Sequence, residues 1–528
     1  MNKQVFLFSG LWDYTKIDKK KSVAELNVIH NASLRRELSQ LLEVDDLRGI
    51  NVTIDGRPRA LFPNVTVREP TLVSTSLRGL IGLQYTVRDI DLVYLMSGEF
   101  RPEELATGFS GESIFLLSTS YVTNFQDLDE AIRRIRRIGP GCLIAGGYLA
   151  TRNPERTLDC GVDVVCAGDA EEALPRLLQT ISLKETWVSI PNLVFKDRDS
   201  YVKGPVEMVD LDAIPLAVPA GDLKGCAIPY ESMRGCPYQC AFCSYPLVSP
   251  TWRRKSARKV FSDFLAIQER GAKTIIALDS TFTIPRSRLH EFLDLCIAHN
   301  MRIPWGAYSR TPELKDELVV EKLVKANCKW LSIGFETGSD YMLLQMNKKT
   351  RLMDSQRALA NLRRHKLAPW SNFIVGFPGE TQATVRETIE FISLNIFGFY
   401  GLYVFNIRDR YMPALENALF NVEYSEIDGD WTHCTMDSVT AVETRDKAYA
   451  EIAVSSREAI NIDVFRGTGV EANYSPWDPE FPILKDIELL AALLILPQHF
   501  ALDVAKETRS VAQRIRLFKS NDSVALYA

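Results

Sequence analysis

The sequence predicts an α/β protein with two units of alternating strands and helices, followed by a mainly helical C-terminal part. Three observations support this fold class. At 528 residues the chain is too long for a single core, since about 150 residues make one domain. Short apolar runs alternate with amphipathic helical stretches twice, over residues 113–181 and over residues 228–419. After residue 420, the longest apolar run, residues 489–496, is typical of a buried helix.

The composition is that of a folded globular protein. Hydrophobic residues make up 46% of the chain and charged residues 24%, which excludes a disordered or fibrous chain. The net charge of −5 argues against a generally basic surface, so we expect no nucleic-acid partner. The first 16 residues lack the cleavage site of a signal peptide, and no apolar run reaches the roughly 20 residues that span a membrane. We therefore expect a cytoplasmic protein with no membrane partner.

The first unit reads as a doubly wound, Rossmann-like domain over residues 1–185. Strands are predicted at residues 5–8, 113–120, 142–147 and 162–169, with a helix at residues 126–138. Gly146, Gly147 and Gly168 fall at strand ends, where such domains place their ligand crevice. Tight turns explain these glycines equally well. The absence of a G-x-G-x-x-G pattern argues against a dinucleotide site.

The second unit reads as a partial (β/α)6 barrel of the TIM type over residues 226–420. A connector over residues 186–225, with a hairpin of residues 190–195 and 201–206, precedes it. Strands are predicted at residues 274–278, 303–308, 330–335, 372–376 and 401–405, besides one that leads into Cys236. Helices are predicted between them, for example at residues 257–270 and 314–326. Residues 421–528 would form a helical cap or substrate domain.

Three of the ten cysteines crowd into eight residues, Cys236, Cys240 and Cys243, with the spacing C-x3-C-x2-C. A disulfide framework is unexpected in a long chain without a secretion signal, so the group indicates a metal site or redox chemistry. Three thiolates can hold three corners of a four-iron cluster and leave one iron open to a ligand. A structural zinc site or three incidental thiols are the alternatives. Zinc is disfavoured because no histidine lies between His30 and His290.

The segment around these cysteines resembles the cluster loop of the radical S-adenosylmethionine (radical SAM) superfamily. The resemblance extends over residues 228–419 through four further strand-end motifs. It implies that S-adenosylmethionine is contacted by the following residues: Phe242, Asp279, Ser280, Ser309, Arg310, Glu336, Ile374 and Gly376. One departure is Asp279-Ser280, which stands where the wider superfamily has Gly-Gly-Glu.

The implied roles agree with the chemistry of the side chains. Arg310 suits the methionine carboxylate and Asp279 the methionine ammonium group, because charge-assisted hydrogen bonds favour both pairs. Phe242, Ile374 and Gly376 suit an apolar slot for adenine. Taken alone, Arg310 or Glu336 would be interpreted as a surface ion pair.

Residues 146–178 resemble the second half of the cobalamin-binding domains that precede many radical SAM enzymes. The resemblance implies that Gly146, Gly147 and Gly168 contact cobalamin. The implied cofactors are thus a [4Fe-4S] cluster, S-adenosylmethionine and cobalamin. The implied partners are a small-molecule or peptide substrate and an electron donor of the flavodoxin or ferredoxin type.

Together the resemblances imply an enzyme that cleaves S-adenosylmethionine to a 5′-deoxyadenosyl radical, similar to the cobalamin-dependent class B methyltransferases. The methyl group would go to an unactivated carbon or a phosphinate centre in natural-product biosynthesis. Two alternatives stay open: a cyclase or rearrangement enzyme, and a radical SAM enzyme whose first domain only docks. A methylthiotransferase is disfavoured because residues 1–141 contain no cysteine. The sequence assigns no catalytic side chain and no substrate.

Overall fold

The computed structural model describes residues 3–10, 31–45, 51–54, 57–60, 71–81, 85–97, 100–106, 113–122, 124–218, 223–426, 429–465, 475–479 and 481–520. Two seven-stranded sheets carry the fold, one in each half of the chain. The α/β fold class is therefore confirmed. Within the described residues, no helix is long and apolar enough to cross a membrane.

The first sheet has the strand order β4-β1-β5-β6-β7-β8-β9. The strands of this half are β1 (Lys3–Ser9), β2 (Asn51–Ile54), β3 (Arg57–Ala60), β4 (Tyr85–Asp91), β5 (Ser113–Ser118), β6 (Gly141–Gly146), β7 (Val164–Cys166), β8 (Leu193–Asp197) and β9 (Ser200–Lys203). The helices are α1 (Ala32–Leu41), α2 (Leu72–Ile81), α3 (Leu92–Met96), α4 (Pro102–Ala106), α5 (Phe125–Arg136), α6 (Tyr148–Arg152), α7 (Pro154–Asp159) and α8 (Ala173–Gln179). Strands β4, β1, β5, β6 and β7 run parallel to one another, as in a doubly wound fold.

Both faces of the first sheet are covered, which explains its continuous apolar strands. Successive side chains of a strand point to opposite faces. In β1, Phe6 and Phe8 accordingly join one core, while Val5 and Leu7 join the other. All six residues of β5 are buried. The strand predicted at residues 162–169 shortens to β7, because the chain turns at Gly168, whose φ is +140°.

The predicted hairpin of residues 190–206 forms, but it belongs to the first sheet. Strand β8 pairs antiparallel with β7, and β9 pairs antiparallel with β8. The segment predicted as a connector therefore begins with two strands that cover the edge of β7. An unpaired parallel edge would leave backbone N–H and C=O groups without partners, and the hairpin supplies those partners.

The second sheet has the order β10-β13-β14-β15-β16-β17-β20, all parallel. Its half of the chain contains β10 (Ala227–Tyr230), β11 (Met233–Arg234), β12 (Arg253–Arg254), β13 (Thr274–Ala277), β14 (Trp305–Ser309), β15 (Cys328–Glu336), β16 (Ala368–Val375), β17 (Gly398–Val404), β18 (Glu423–Tyr424), β19 (Trp431–Thr432) and β20 (Ala459–Asn461). Its helices are α9 (Tyr245–Val248), α10 (Ala257–Glu269), α11 (Arg286–Ala298), α12 (Thr311–Leu314), α13 (Glu317–Lys325), α14 (Asp340–Gln345), α15 (Leu352–Arg364), α16 (Gln382–Asn395), α17 (Pro413–Glu416), α18 (Ser438–Ser455), α19 (Ile462–Phe465), α20 (Phe481–Ile495) and α21 (Val504–Ser520).

The barrel has seven strands where the sequence predicts six. The seventh, β20, lies beyond residue 420 and pairs with β17. Helix α20 attaches to it through Lys485, whose Nζ donates to the Ala459 carbonyl at 2.8 Å, and through Glu488, which accepts from the Asn461 N–H at 3.1 Å. The part of the chain after residue 420 therefore supplies the last barrel strand and a helix attached to it. In the described part of the chain β10 and β20 do not pair, so the barrel stays open between them.

The two faces of the barrel strands differ in burial. On β15, Leu331, Ile333 and Phe335 lie in the core formed with the surrounding helices. Strand alternation turns Trp330, Ser332 and Glu336 to the concave face. Near the amino ends of the strands, Trp330 stacks on Trp370, with ring centroids 4.5 Å apart and an interplanar angle of 9°.

We predict that Gly306→Ala lowers the free energy of unfolding. Gly306 lies beside Trp330 in the sheet, and a Cβ atom there would overlap the indole ring. The stack of Trp330 on Trp370 would have to shift, at a cost of roughly 1–3 kcal/mol. Thermal unfolding followed by near-ultraviolet circular dichroism measures the change.

The matched control is Gly79→Ala in α2. A Cβ atom at Gly79 meets no atom within 4 Å, so alanine should leave stability unchanged or raise it by about 0.5–1 kcal/mol. Equal melting temperatures for the two variants would contradict the packing argument.

Candidate functional site

The three clustered cysteines lie on a loop whose two ends are joined by β11 and β12. These two strands pair antiparallel, so residues 235–252 leave the barrel and return to it at the same place. Gly235 permits this closure. Its φ is +80°, and a Cβ atom would lie 2.6 Å from the Thr251 carbonyl oxygen. Within the loop, the Cys243 N–H donates to the Cys240 carbonyl at 3.0 Å, which forms a tight turn between two of the thiols.

The thiols of this loop are free, and burial disfavours the ionisation of two of them, Cys240 and Cys243. Burial raises the pKa of Cys240 despite the nearby charges of Lys348 and Arg310. Burial likewise raises the pKa of Cys243 to about 11. Among the described residues, no three His, Cys, Asp or Glu side chains converge on a point that suits a single metal ion. A four-iron cluster needs no such convergence, because each thiolate binds a separate corner, and its iron supplies the positive charge that ionises the thiols.

Asp279 lies directly beneath this loop. Its Oδ1 accepts hydrogen bonds from the N–H groups of Ser232, at 2.7 Å, and Met233, at 3.0 Å. Its Oδ2 accepts from the Ser232 hydroxyl, which also accepts from Arg288 at 2.9 Å. Burial raises the pKa of Asp279 to about 6, although Arg288 and Ser232 favour the charged form. The carboxylate therefore holds the start of the cysteine loop, and its predicted contact with an ammonium group remains a prediction.

Ser280 and Ser309 also support this end of the barrel. The Ser280 hydroxyl donates to the Gly235 carbonyl at 2.8 Å, at the hinge of the cysteine loop. The Ser309 hydroxyl is buried and lies 3.1 Å from that of Thr283. Neither side chain is free of protein contacts.

Arg310, at the carboxyl end of β14, is buried against the cysteine loop. Its guanidinium group stacks on the Tyr238 ring, 3.5 Å from the centroid, and one Nη donates to the Lys348 carbonyl. Its Nε is buried and has no hydrogen-bond partner within the described residues. Glu313, one turn further, has a buried Oε2 without a partner in the same set, and burial raises its pKa. An unpaired buried donor and acceptor are what a zwitterionic ligand would satisfy.

Glu336, at the carboxyl end of β15, forms a buried ion pair with Lys348. Its φ is +68°, and the pairing register with β16 shifts at this residue. Gly334 leaves the space for the pair, because a Cβ atom there would overlap the Glu336 carboxylate. The Lys348 Nζ lies 5.5 Å from the centroid of the Phe242 ring, so the pair and the cysteine loop are in contact.

Ile374 and Gly376 end β16, where Phe242 packs in the same apolar cluster as Ile374. Gly376 has a φ of +85°, and its N–H donates to Glu380 at 2.5 Å. Burial raises the pKa of Glu380 to about 7. His433 holds the other side of the turn, because its Nε2 donates to the Gly376 carbonyl at 2.9 Å.

His433 stacks on Trp431, with centroids 4.9 Å apart, and burial lowers its pKa, which favours the neutral ring. The sequence alone indicates no role for His433. The structure shows a residue that positions the Gly376 turn.

The glycines of the first sheet lie at its carboxyl edge, as expected. The Gly146 carbonyl accepts from the Thr119 N–H at 2.7 Å, and a Cβ atom on Gly147 would lie 2.6 Å from the Ser120 hydroxyl. A Cβ atom on Gly168 would lie 3.4 Å from Asn192. Gly147 is thus required by packing within its own domain, while Gly146 has only an ordinary contact. Their predicted contact with cobalamin remains a prediction.

The turn that follows Gly168 binds the base of the cysteine loop. Asp169 accepts from Arg234 at 2.8 Å and from Arg253 at 2.6 Å, and Glu171 accepts from Arg234 at 2.5 Å. Burial opposes the negative charge of Asp169, but the two arginines outweigh it and lower its pKa. Arg234 of β11 lies opposite Arg253 of β12. The turn after β7 therefore binds both ends of the cysteine loop.

A second ion pair joins the same two halves. Arg152, at the end of α6, donates to Asp409 at 2.6 Å and to the Leu247 carbonyl at 3.1 Å. Leu247 belongs to α9, which continues the cysteine loop. The helix that follows Gly146 and Gly147 is therefore in direct contact with the loop.

The structure brings most of the predicted residues to one end of the barrel, around the cysteine loop. Sequence reasoning missed several partners that hold them there: Tyr238, Lys348, Glu380, His433, Asp169, Arg234 and Arg253. Tyr238 lies between Cys236 and Cys240, and Glu380 follows Gly376 by four residues, so the sequence contained a local signal for both. The arginine contacts join segments 65 and 84 residues apart and leave no local pattern.

Residues 230–392 match the Radical SAM superfamily. The chain is similar to an uncharacterized methyltransferase of Pyrococcus horikoshii, with 28% identity over 47% of this chain and 57% of the relative. It is also similar to the anaerobic magnesium-protoporphyrin IX monomethyl ester cyclase of Cereibacter sphaeroides, with 26% identity over 55% of this chain and 49% of the relative. In both cases the similarity spans only about half of the relative's length.

The fold is similar to that of TsrM, a radical S-adenosylmethionine methyltransferase from Kitasatospora setae solved with cobalamin and a [4Fe-4S] cluster bound. The TM-score is 0.59 at 14% identity, over 99% of this chain and 100% of TsrM. The likeness therefore extends from the first sheet to the C-terminal helices. At this identity it concerns the fold alone.

We predict that Glu380→Gln flattens the dependence of stability on pH. The folded-state pKa of about 7 lies above the ordinary 4.5, so the native state binds this proton more tightly than the unfolded state. Stability from this group is present at low pH and is lost as the pH rises towards the folded pKa. Glutamine keeps an acceptor for the Gly376 N–H without the charge. The variant should match the wild type near pH 4, below the unfolded-state pKa, and exceed it by roughly 3 kcal/mol near pH 8.

Urea unfolding at the two pH values measures this difference. Glu390→Gln, on the exposed face of α16, is the matched control and should follow the wild-type profile. If the free energy of unfolding changes with pH in the same way for Glu380→Gln and the wild type, burial does not disfavour the charged form of Glu380.

Proposed function

We propose that this chain, which contains a radical SAM domain at residues 230–392, is a cobalamin-dependent radical SAM methyltransferase. The observation that carries the proposal is the ionic contact between Asp169 of the first sheet and Arg234 beside the cysteine loop. It places the carboxyl edge of a doubly wound sheet directly against a loop with three free thiols. Two cofactor sites built on those two edges would share one reaction space.

The cysteine loop fits a [4Fe-4S] cluster. Cys236, Cys240 and Cys243 would each bind one iron, and the fourth iron would stay open to the amine and carboxylate of S-adenosylmethionine. Once bound, the cofactors supply a 5′-deoxyadenosyl radical and, from cobalamin, a transferable methyl group. Everything else falls to the protein: binding, orientation and the exclusion of water.

Arg310 is the residue best suited to the carboxylate of S-adenosylmethionine. Its unpartnered Nε offers a hydrogen bond, and the Tyr238 ring and the Lys348 carbonyl hold the guanidinium plane in place. A preorganised guanidinium loses little entropy when it binds a carboxylate. Glu313 supplies an acceptor close to Arg310 for the ammonium group, in addition to the predicted Asp279.

The adenine slot would lie between Phe242 and Ile374, above the Gly376 turn. Both side chains are half-buried and belong to one apolar cluster. Glu380 and His433 hold the N–H and the carbonyl of Gly376, so the backbone of the turn keeps its shape with or without a ligand. The Glu336–Lys348 ion pair lies beside this slot, at the carboxyl end of the neighbouring strand β15.

Cobalamin would bind at the carboxyl edge of the first sheet, near Gly146, Gly147 and Gly168. The whole-chain likeness to TsrM, which was solved with cobalamin bound, supports this part of the proposal. The only histidine before residue 290 is His30, which lies outside the described residues. His30 lacks the Asp-x-His-x-x-Gly context of a cobalt ligand, so we expect that it would not bind the cobalt of cobalamin.

A second candidate function is ring closure or rearrangement. The relative from Cereibacter sphaeroides named as a cyclase supports it, with similarity over 55% of this chain. The two functions differ in the fate of S-adenosylmethionine. A methyltransferase of this kind converts it both to S-adenosylhomocysteine and to 5′-deoxyadenosine. A cyclase forms 5′-deoxyadenosine without S-adenosylhomocysteine.

We predict that replacing Cys236, Cys240 and Cys243 by alanine leaves a folded protein that retains no four-iron cluster after anaerobic reconstitution. Iron and sulfide analysis and electron paramagnetic resonance of the reduced protein measure the loss. The control is alanine at Cys142, Cys160 and Cys434, which form no disulfide and are not fully buried. A full cluster signal in the first variant, or its loss in the control, would overturn the ligand assignment.

The reaction itself is tested by product analysis. Anaerobic incubation of the cobalamin-loaded protein with a substrate should yield S-adenosylhomocysteine together with 5′-deoxyadenosine. Mass spectrometry should show a substrate gain of about 14 daltons, the mass expected of a transferred methyl group. Formation of 5′-deoxyadenosine without S-adenosylhomocysteine would favour the cyclase instead.

A further inference from the structure

The cysteine loop is covered on one side by the first sheet and on the other by the chain that follows α14. On the first side, Arg152 binds the Leu247 carbonyl. On the second, the Ala241 N–H donates to the Met346 carbonyl at 2.8 Å, and the Asn347 side chain donates to the Gln239 carbonyl at 2.7 Å. Residues 346–347 therefore contact the backbone of the loop on that side.

Large apolar side chains are exposed around this cover. Tyr341 is 54% exposed, Leu344 76% and Met353 52%. Tyr341 and Leu344 are three residues apart on α14, so they share one helix face. Met353 is close to them because the Leu352 N–H donates to Asp340, the first residue of α14, at 2.8 Å. We call Gln239, Tyr341, Leu344, Lys349, Arg351 and Met353 the loop-side surface.

The charges of the loop-side surface are positive, in a chain whose net charge is −5. Lys349 and Arg351 are both exposed, and neither forms an ion pair with any residue that the structure describes. The nearest acidic side chain in sequence, Asp354, forms an ion pair with Lys315 at 2.8 Å, and the next, Asp340, accepts a hydrogen bond from the Leu352 N–H. The surface therefore combines an apolar centre with a cationic rim, which is typical of transient protein–protein contacts.

We propose that the loop-side surface is the docking site of an acidic one-electron carrier protein of the flavodoxin type. This rests on the proposed function, which needs one electron at the cluster for each S-adenosylmethionine cleaved. The electron leaves the reduced carrier and is accepted by the cluster, and no bond forms or breaks at the surface. An acidic carrier is attracted by Lys349 and Arg351, while Leu344 and Met353 give it an apolar contact.

A second copy of this chain fits the surface less well. Two negatively charged copies repel each other at long range, and a handful of exposed side chains is far below the roughly 800 Å² per partner of a stable interface. A small carrier needs only a weak, short-lived contact, and such contacts are found at the low end of interface areas.

The test is the affinity of the cluster-loaded chain for a purified bacterial flavodoxin in its oxidised form, measured by isothermal titration calorimetry. We expect Lys349→Glu with Arg351→Glu to raise the dissociation constant at least about tenfold at low salt. The difference should shrink at about 1 M salt, where the Debye length is about 3 Å. The matched control is Lys329→Glu, an exposed lysine at the opposite end of β15.

The same variants are then assayed for S-adenosylmethionine cleavage with flavodoxin and with dithionite, a small reductant that needs no docking. Slower cleavage with flavodoxin alone supports the proposal. An unchanged dissociation constant, an equal loss in Lys329→Glu, or no binding to the wild type overturns it. If the double variant also loses cleavage with dithionite, Lys349→Gln with Arg351→Gln replaces it and the same comparison decides. Failure of the proposed function would instead appear as no cleavage with dithionite in the wild type.

Discussion

The contact of Asp169 and Glu171 with Arg234 and Arg253 determines how the two halves of the chain meet. The two arginines are register partners at the base of the cysteine loop, and the two carboxylates follow the last parallel strand of the first sheet. Buried ion pairs stabilise only when their hydrogen bonds are nearly complete, because desolvation of each charge is costly. Here Asp169 also accepts from the Val209 N–H at 3.0 Å, and Arg234 also binds Glu231. The network is satisfied only when sheet and loop keep one relative position.

The rest of the site is arranged around the loop that this network holds. Asp279 supports it from below, Arg310 stacks on its Tyr238, and Lys348 contacts its Phe242. Each of these side chains comes from the carboxyl end of a different barrel strand or from the segment that follows it. Parallel strands bring their carboxyl ends to one edge of the sheet. A polar site can form at that edge even though each strand contributes only a few polar residues. The outward faces of the same strands remain free to build the apolar core with the helices.

The sequence was informative where local pattern and tertiary structure agree. The glycine-ended strands and the alternation of strands with helices agree with the structure, and most barrel strands differ from their predicted bounds by only a few residues. Strand β20 was missed because three residues are too short for any periodicity. Asp169 and Asp279 show the other limit. A Gly-Asp-x-Glu turn and a strand-end aspartate have the same local pattern whether they face a cofactor or an arginine, and only the fold decides which.

Strand β20 also bears on how the protein is made. The barrel needs a strand that is synthesised more than fifty residues after β17, and α20, which attaches to it, leaves the ribosome later still. Until then, the edge of β17 has no strand partner, and the apolar faces of α1 and β10 lack the α20 side chains that share their core. Exposed strand edges and apolar faces are the surfaces that aggregate in nascent chains. The barrel half therefore completes its fold late in translation, and chaperones that shield its unfinished edge would act in that interval.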